Sequence, residues 1–380
     1  MITIVVTANT SWYIYNFRKN TLKELISKGI DVHVISPHDE YTEKIKALGC
    51  HVHNIKIDGR GINPFVDMIT CFNFFRLFLK ISPQVILNFT PKNNIYSSLA
   101  AAPLNIPVIN NIAGLGHAFI KDRILNKVVR KLYKISQRKV SYIFFQNEED
   151  MEVFRKHRIG TKAFKERIPG SGADLKRFSF SQTQQKKPLR FLLTARMLKE
   201  KGVYLFAEAA RYFKEKYGDK VEFSLLGFCD NTNPSGVKLD EINDWVDQGF
   251  INYLGVTDKV ESIIKDMHCV VLPSYYREGV PKSLLEAGAM GKPIITTDNV
   301  GCRETVVDGF NGYLCKPRSL KSLIEAMEKI IVSSEDEINQ LGKNSRRHIA
   351  ENFDETIVIE RYLYSVGKVI NKNDAILINS

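Results

Sequence analysis

The sequence has little cysteine, little tryptophan and no long apolar run. Its six cysteines and two tryptophans are scattered over 380 residues, with no CxxC pair and no matched histidine spacing. We therefore expect neither a disulfide scaffold nor a metal site, and a reducing cytoplasm is the predicted compartment. The longest apolar stretch, residues 64–81, is interrupted by Asp67, Asn73 and Arg76 and is too short and polar to span a bilayer. The N-terminus lacks the features of a signal peptide.

Acidic residues are scarce in the first half of the chain. Residues 1–180 hold about 27 Lys and Arg against about 14 Asp and Glu, whereas basic and acidic residues are nearly equal in number in the remainder. The net charge of the whole chain is +12. This asymmetry predicts an anionic partner for the first half. Because no nucleic-acid recognition motif or aromatic-basic repeat is present, we expect an anionic membrane surface or a diphosphate-bearing lipid and no nucleic acid.

Strand and helix patterns alternate along the chain. The apolar segments that indicate buried strands are Ile2–Val6, Asp31–Ile35, Val85–Asn88, Pro107–Asn110, Tyr142–Gln146, Leu189–Thr194, Val221–Gly227, Ile251–Leu254, Cys269–Pro273, Pro293–Thr296 and Gly312–Leu314. Such strands, separated by helices, are typical of parallel sheets covered on both faces. We predict an α/β protein with two doubly wound Rossmann-like domains, residues 1–180 and 186–353, facing across a cleft. A last helix, about residues 354–372, is expected to pack back on the first domain.

One stretch of the second domain places two acids around a helix start. Val271–Thr297 reads as a strand, a turn carrying Glu278, a helix beginning near Pro281 and another strand. A helix start offers backbone N–H groups to phosphate or sugar oxygens, and proline at the first helical position loses no hydrogen bond. Glu286 lies in a run of small and apolar residues, which favours a functional role over a solvated helix face. The alternative is an ordinary α/β unit with solvated acids.

Basic residues follow the first strand of the same domain. In Ala195–Gly202, Arg196 offers a rigid fork of donors and Lys201 a point charge, a pair that suits a diphosphate. Basic residues are common on such turns, so this pair alone is weak evidence. Together with the two glutamates at strand ends of the same sheet, it predicts a ligand site that contains both charge signs.

These residues resemble the donor-site signature of family-4 retaining glycosyltransferases with the GT-B architecture. Arg196, Lys201 and the spacing from Glu278 to Glu286 carry the likeness. Further segments similar to that family are Asn147–Asp150, Pro169–Asp174, Pro273–Gly279 and Val300–Gly312. Residues 233–235 and 244–255 resemble the bacterial surface-polysaccharide branch, in which UDP-N-acetylhexosamines or related UDP-sugars are common donors and undecaprenyl diphosphate carries the acceptor.

The resemblance implies roles for the matching residues. Arg196 and Lys201 would neutralise the donor diphosphate and stabilise the departing UDP, and Glu286 would hold ribose hydroxyls. Retention of anomeric configuration is also implied by the resemblance. The roles of Arg196 and Lys201 also have physical support, because preorganised cations offset the negative charge that develops on a leaving diphosphate.

Glu278 would face the transferred sugar or its phosphate. The resemblance assigns the same place to the backbone of Gly279, Val280 and Pro281. The sequence contains no convincing DxD-type acid pair after a strand, so we expect no metal and no other cofactor in the reaction.

The first domain is expected to hold the acceptor. Its first loop departs from the glycine-rich loop of many family members, and small polar Asn9 and Ser11 are candidate acceptor contacts. Arg18 and Lys92 are candidate ligands of an acceptor diphosphate, with a surface cation as the alternative for each. His117, after a strand, is a candidate partner for a sugar hydroxyl, with a structural role as its alternative.

For two segments, the sequence is compatible both with a membrane contact and with an ordinary place in a soluble fold. Residues 122–140 place apolar side chains at helical spacing opposite a basic face, which either meets anionic headgroups or is solvated. The aromatics of Phe72–Leu79 belong either to the core or to the interface.

The leading hypothesis is a retaining glycosyltransferase. It would move a sugar, an N-acetylhexosamine by resemblance, from a UDP donor to a polyprenyl-diphosphate-linked saccharide, peripherally bound at the cytoplasmic face of the cell membrane. The alternatives are a UDP-N-acetylhexosamine 2-epimerase of the same architecture and a non-enzymatic basic protein that binds membranes or nucleic acid.

Overall fold

The structure is a computed structural model that describes residues 1–58, 63–115, 124–182 and 188–370. The chain divides into two compact units, Met1–Ser171 joined by the chain from Thr356, and Gly172–Glu355. The first unit therefore ends before the boundary predicted at residue 180. The backbone N–H of Ala173 donates to the carbonyl of Phe353, and Phe178 is buried in the core of the second unit, so this segment belongs to the second unit. Residues 183–187, around the end of the gap between the two predicted domains, lie outside the described residues.

Within the described residues, the first unit contains a sheet of seven parallel strands. The strands are β1 (Thr3–Thr7), β2 (Asp31–Ser36), β3 (His51–Asn54), β4 (Val85–Asn88), β5 (Val108–Ile112), β6 (Tyr142–Phe145) and β7 (Phe164–Arg167). Their order across the sheet is β3-β2-β1-β4-β5-β6-β7. The helices between them are α1 (Ser11–Ser27), α2 (Thr42–Lys46), α3 (Pro64–Ile81), α4 (Pro91–Ala101), α5 (Ile124–Ser136) and α6 (Glu148–Lys156).

Both faces of this sheet are covered by apolar side chains. Successive residues of a strand point to opposite faces. In β1, Ile4 and Val6 accordingly enter one core cluster and Val5 enters another, and all three are essentially inaccessible to solvent. Two buried faces explain why the sequence of this strand is continuously apolar instead of alternating.

The second unit repeats the same winding with a sheet of six parallel strands in its described part. The strands are β8 (Leu189–Thr194), β9 (Val221–Leu226), β10 (Asn252–Tyr253), β11 (Cys269–Leu272), β12 (Ile294–Thr297) and β13 (Gly312–Cys315), in the order β10-β9-β8-β11-β12-β13. The helices are α7 (Val203–Tyr217), α8 (Leu239–Asp247), α9 (Val260–Lys265), α10 (Lys282–Ala289), α11 (Leu320–Val332) and α12 (Glu335–Asn352). In each sheet the strand order reverses between the first and fourth strands of the unit, the place where open α/β sheets bind ligands.

The last described helix, α13 (Glu355–Ile370), packs on the first unit. Its Tyr362 is buried, and the Tyr362 ring makes edge contacts with Phe89 at 5.5 Å and Phe144 at 5.3 Å between centroids. Val358 and Val366 enter the same core cluster. This is the placement expected from the sequence for the final helix.

The predicted strands are all present, and two further strands occur at the edges of the first sheet. These are β3 and β7, whose residues are mostly exposed or half-exposed and include His51 and Lys165. All six cysteines are free thiols in this structure. No helix in the described ranges has both the length and the hydropathy needed to span a bilayer.

Candidate functional site: a cation–carboxylate pair at the switch point of the second sheet

Three loops meet at the carboxyl edge of the second sheet. They follow β8, β11 and β12, and two glycines let their backbones touch. Gly202 has φ +79°, and a Cβ there would overlap the carbonyl oxygen of Pro273. Gly301 has φ +80°, and a Cβ there would overlap the carbonyl oxygen of Gly279. Since only glycine tolerates both the positive φ and the close contact, these two positions fix how the loops assemble.

Lys201 and Glu278 form an ion pair where these loops meet. The distance from Lys201 Nζ to Glu278 Oε1 is 2.5 Å, and the side chains are 16% and 11% exposed. The same carboxylate oxygen accepts a hydrogen bond of 2.9 Å from Ser274 Oγ. The backbone N–H of Tyr275 donates to the carbonyl of Glu200 at 2.9 Å, which joins the loop after β11 to the loop after β8. A largely buried carboxylate with a cation and a hydroxyl donor has the partners that burial requires.

Arg196 belongs to the same loop but lies in a different environment. Its side chain is exposed, and within the described part of the chain it forms no ion pair. The N–H donors of this exposed guanidinium are available to an anionic ligand, in the same loop as the Lys201 ammonium group that Glu278 holds in place.

The start of α10 differs by one residue from the sequence prediction. Pro281 is the N-cap, with an extended ψ of 118°, and the helix begins at Lys282. The carbonyl of Pro281 accepts the N–H of Leu284 at 3.1 Å, and no side chain caps this end. Proline fits this position because it donates no N–H of its own. The backbone that precedes the helix, at Gly279, Val280 and Pro281, is buried.

Glu286 lies on α10 in an environment separate from the ion pair. Burial raises its pKa to about 7 from an ordinary value of 4.5, against the opposing charges of Lys282 and Arg177. Within the described residues, no hydrogen bond or ion pair joins it to Lys201 or Glu278. The two glutamates therefore do not form a coupled acid/base pair.

The predicted acceptor residues of the first unit are mostly engaged in the fold. Ser11 is fully buried, and its hydroxyl contacts Ser36 Oγ at 2.8 Å and donates to the carbonyl of Pro37 at 3.0 Å. Arg18 is 1% exposed, and its guanidinium carbon lies 4.4 Å from the centre of the Phe89 ring. Both side chains therefore belong to the interior in this structure and not to a ligand surface.

The remaining acceptor candidates differ from one another. Lys92 forms a 2.5 Å ion pair with Asp67, with side chains 18% and 10% exposed, and Tyr96 also donates to Asp67 at 2.7 Å. Asn9 keeps a partly exposed side chain, and its backbone N–H donates to Thr90 Oγ1 at 3.1 Å, which joins the loops after β1 and β4. His117 lies outside the described residues.

Sequence reasoning missed several residues that support the second-unit site. Ser274 orients Glu278, and Asn299 Nδ2 donates to the carbonyl of Tyr276 at 2.7 Å. The Arg318 guanidinium carbon lies 4.6 Å from the centre of the Tyr275 ring. Ser274 could have been found from its position, because it is the second residue after a buried strand beside the switch point.

The two doubly wound sheets define the GT-B class of fold. Solved structures support this assignment at low sequence identity. The chain aligns with a TM-score of 0.77 to Anabaena HepE solved with UDP-glucose, at 13% identity over 97% of this chain and 100% of that chain.

Sequence comparisons identify the family. Residues 175–348 match the family described as Glycosyl transferases group 1, and residues 3–147 match Glycosyl transferase 4-like. The chain is 32% identical to an N,N'-diacetylbacillosaminyl-diphospho-undecaprenol alpha-1,3-N-acetylgalactosaminyltransferase of Campylobacter jejuni, over 94% of this chain and 96% of that one. It is 24% identical to an Escherichia coli UDP-Gal:alpha-D-GlcNAc-diphosphoundecaprenol alpha-1,3-galactosyltransferase, over 82% and 83%. The chain therefore belongs to the glycosyltransferase family described as group 1. The resemblance to a glycosyltransferase that was found in the sequence is confirmed.

Proposed function

We propose that this protein transfers an N-acetylhexosamine from a UDP-sugar to a saccharide carried on a polyprenyl diphosphate, in the synthesis of a surface polysaccharide or glycan. The names of the Campylobacter jejuni and Escherichia coli relatives both specify acceptors linked to undecaprenyl diphosphate, and the first specifies N-acetylgalactosamine transfer. Membership of the glycosyltransferase family favours this function over an epimerase or a non-enzymatic protein.

The observation that carries the proposal is the Lys201–Glu278 pair at the switch point of the second sheet. Cleavage of the anomeric C–O bond leaves negative charge on the departing UDP. Lys201, held in place by Glu278, and the exposed Arg196 offset that charge. With these cations in place the transfer needs no metal ion and no other cofactor. Glu278 faces the sugar or its phosphate, beside the backbone of residues 279–281.

Glu286 is assigned to the ribose of the donor. Its carboxylate has no hydrogen-bond partner within the described residues, so ribose hydroxyls can donate to it. Hydroxyl donors favour the charged form of a carboxylate, and donor binding would therefore oppose the effect of burial on the Glu286 pKa.

The acceptor is assigned to the loops after β1 and β4 of the first unit. The hydrogen bond from Asn9 to Thr90 joins these loops at the switch point of their sheet. Of the acceptor residues suggested by the sequence, we retain Asn9 and assign Ser11, Arg18 and Lys92 to support of the fold.

A donor panel tests the proposed reaction. UDP-GalNAc, UDP-GlcNAc and UDP-galactose are each incubated with undecaprenyl-diphosphate-linked acceptors, and the product anomer is assigned by NMR. We expect turnover with a UDP-N-acetylhexosamine, an α-linked product from an α-linked donor, and equal rates with and without EDTA. Conversion of UDP-GlcNAc to its 2-epimer in the absence of any acceptor would contradict the proposal. Lys201→Ala should lose most of this turnover, whereas Lys199→Ala should retain it and is the matched control, because Lys199 is exposed in the same loop.

We further propose that α3 binds the interface of an anionic bilayer. Four apolar side chains lie on one exposed face at helical spacing, with exposed fractions of 72% for Phe65, 64% for Met68, 58% for Ile69 and 59% for Phe72. The opposite face of the helix buries Phe74 and Phe78 in the core. An exposed apolar helix face of this kind is typical of proteins that insert shallowly among lipid headgroups.

Positive charge on the same side of the sheet supports an anionic bilayer as the surface that α3 binds. Helix α4 packs against both α3 and α5, and the three helices contribute to one core cluster. Helix α5 carries Lys127, Arg130, Lys131 and Lys134. Of its predicted apolar stripe, Val129 and Leu132 pack on the core, whereas Val128 and Ile135 are exposed. Basic side chains near an inserted apolar face are attracted to the anionic inner leaflet, which would place the enzyme peripherally at the cytoplasmic side of the membrane.

Vesicle flotation tests the membrane proposal. We expect Met68→Ser/Phe72→Ser to lose binding to vesicles that contain anionic lipid, whereas Val332→Ser, an exposed valine of the second unit, binds as before. Raising the salt concentration should weaken binding of the unmodified protein. Equal binding by the double variant and the control would refute the role of α3.

A further inference from the structure

One edge of the first sheet brings an aspartate and three histidines to the same face. Asp31 and His33 lie two residues apart on β2, and His51 and His53 lie two residues apart on β3. The parallel register places His33 opposite His51. Because side chains two apart on a strand share a face, the four residues form one polar group, here called the edge cluster.

The donor atoms of the edge cluster are already close together. His33 Nε2 lies 3.0 Å from Asp31 Oδ2, and His51 Nε2 lies 3.4 Å from Asp31 Oδ1. One ligand atom from each of these three residues falls within 4.8 Å of the other two. A tetrahedral Zn²⁺ ion with ligands at about 2.0–2.2 Å separates its ligand atoms by roughly 3.3–3.6 Å, so only small side-chain movements are needed to bind an ion.

His53 fixes the orientation of one of these ligands. His33 Nδ1 and His53 Nε2 lie 2.8 Å apart, within hydrogen-bonding distance, and the two rings are stacked with an angle of 6° between their planes. A histidine that binds a metal through one nitrogen usually makes a hydrogen bond through the other, which sets the ring orientation. The Nε2 atom of His33 is thereby directed to the same point as the Asp31 carboxylate.

We propose that Asp31, His33 and His51 bind a divalent transition-metal ion of the zinc type, with water completing its coordination. Two imidazoles and a carboxylate favour such ions over Mg²⁺ and Ca²⁺, which prefer oxygen ligands alone. The His51 side chain is 66% exposed, which leaves an entry path for the ion.

The position of the edge cluster indicates a structural role. In the part of the chain that the structure describes, β3 is an edge strand whose partner in the sheet is β2. The ion would link His51 of β3 to Asp31 and His33 of β2. Asp31 and His51 are the first residues of their strands, whereas ligands of such sheets bind beyond the carboxyl ends. The site therefore holds the sheet edge together, and it departs from the sequence-based expectation that the chain has no metal site.

Metal titration of the full chain tests this site without any assay of transfer. After removal of metals with a chelator, ZnCl₂ is titrated by isothermal calorimetry, and CoCl₂ by visible absorption. We expect saturable binding of one ion, a Co²⁺ spectrum typical of nitrogen and oxygen ligands, and a higher Tm with Zn²⁺. Absence of saturable binding would overturn the proposal.

Matched variants locate the ion. His51→Ala and Asp31→Asn should abolish binding, and His53→Gln should weaken it by about tenfold or more because it loosens His33. His38→Ala, a histidine of the same unit outside the edge cluster, should bind as the unmodified protein does. His51 is exposed, so its replacement is expected to leave the fold intact, which circular dichroism checks. Retention of binding by folded His51→Ala and Asp31→Asn would also overturn the proposal.

Discussion

The two units place equivalent loops at the switch points of their sheets but use polar side chains differently. In the first unit, uncharged residues at and just after the strand ends bond to each other: Thr7 Oγ1 donates to Asn88 Oδ1 at 2.6 Å, and the backbone N–H of Asn9 donates to Thr90 Oγ1. In the second unit, Lys201 meets Glu278 while Arg196 stays exposed. Uncharged hydrogen-bonding groups suit sugar hydroxyls, whereas an exposed cation beside an ion pair suits a diphosphate.

Each unit contains a largely buried lysine–carboxylate pair. Lys92–Asp67 and Lys201–Glu278 have the same 2.5 Å separation and similar burial. Lys92 lies on α4 and ties that helix to α3, whereas Lys201 lies in a strand-end loop beside an exposed arginine. Distance and burial alone therefore do not distinguish a structural pair from a ligand-binding pair, and the surroundings must decide.

The largest effect is expected from the second-unit pair. Lys201→Met should lower kcat/KM about 100- to 1,000-fold, the usual loss when one donor to a developing negative charge is removed. Lys92→Met, measured in parallel under conditions where both variants are folded, should lower it by less than about tenfold, since Lys92 is not expected to touch substrate. Steady-state kinetics with varied donor would show this difference. Similar losses in the two variants would mean that the pairs share one role.

The next effect is on stability and belongs to the first unit. Lys92→Met leaves the carboxylate of Asp67 buried without its cation and should reduce the free energy of unfolding by about 3 kcal/mol. Asp67→Asn in the same chain removes the stranded charge and should restore much of that loss. Urea unfolding of the single and double variants measures both. No recovery in the double variant would show that packing, and not charge, sets the cost.

The smallest effect concerns Glu286 and pH. Its pKa of about 7 lies above the ordinary value of 4.5, so the folded protein binds an extra proton between these values. Stability therefore falls as pH rises through that interval and levels off above pH 7. Glu286→Gln removes this loss and should raise the Tm at pH 8 more than at pH 5.

Donor affinity should change with pH in the opposite sense. If ribose hydroxyls donate to Glu286, the KM for the UDP-sugar falls as pH rises from 6 to 8 and the carboxylate ionises. Glu286→Gln should flatten that profile and raise KM about tenfold at pH 8, the usual worth of a hydrogen bond to a charged group. Parallel profiles for the two proteins would exclude Glu286 from the donor site.

Sequence patterns predicted the buried strands because burial on both faces leaves a continuous apolar run. The edge strands β3 and β7 lack that signal, because an edge strand has one neighbour and tolerates exposed polar residues such as His51. The edge cluster was not predicted either, because only the register between β2 and β3 brings its members together.

The burial of Arg18 could have been predicted from the sequence. Ile14, Arg18, Leu22 and Leu25 are all buried on one face of α1. Their spacing is that of an amphipathic helix, so the sequence already placed Arg18 on the inner face. By contrast, the pairing of Lys201 with Glu278 depends on loops 77 residues apart in sequence, and local patterns could not supply it.

The packing of α13 has a consequence for synthesis on the ribosome. The first sheet is encoded before the second unit, yet Tyr362 and Val366, which cover part of it, are translated after that unit. During elongation, the apolar side chains that these residues will cover wait exposed while about 180 intervening residues emerge, at roughly 5–20 residues per second. The nascent first unit therefore keeps this apolar surface uncovered by α13 for some ten seconds or more, whereas the second unit completes its fold from contiguous chain.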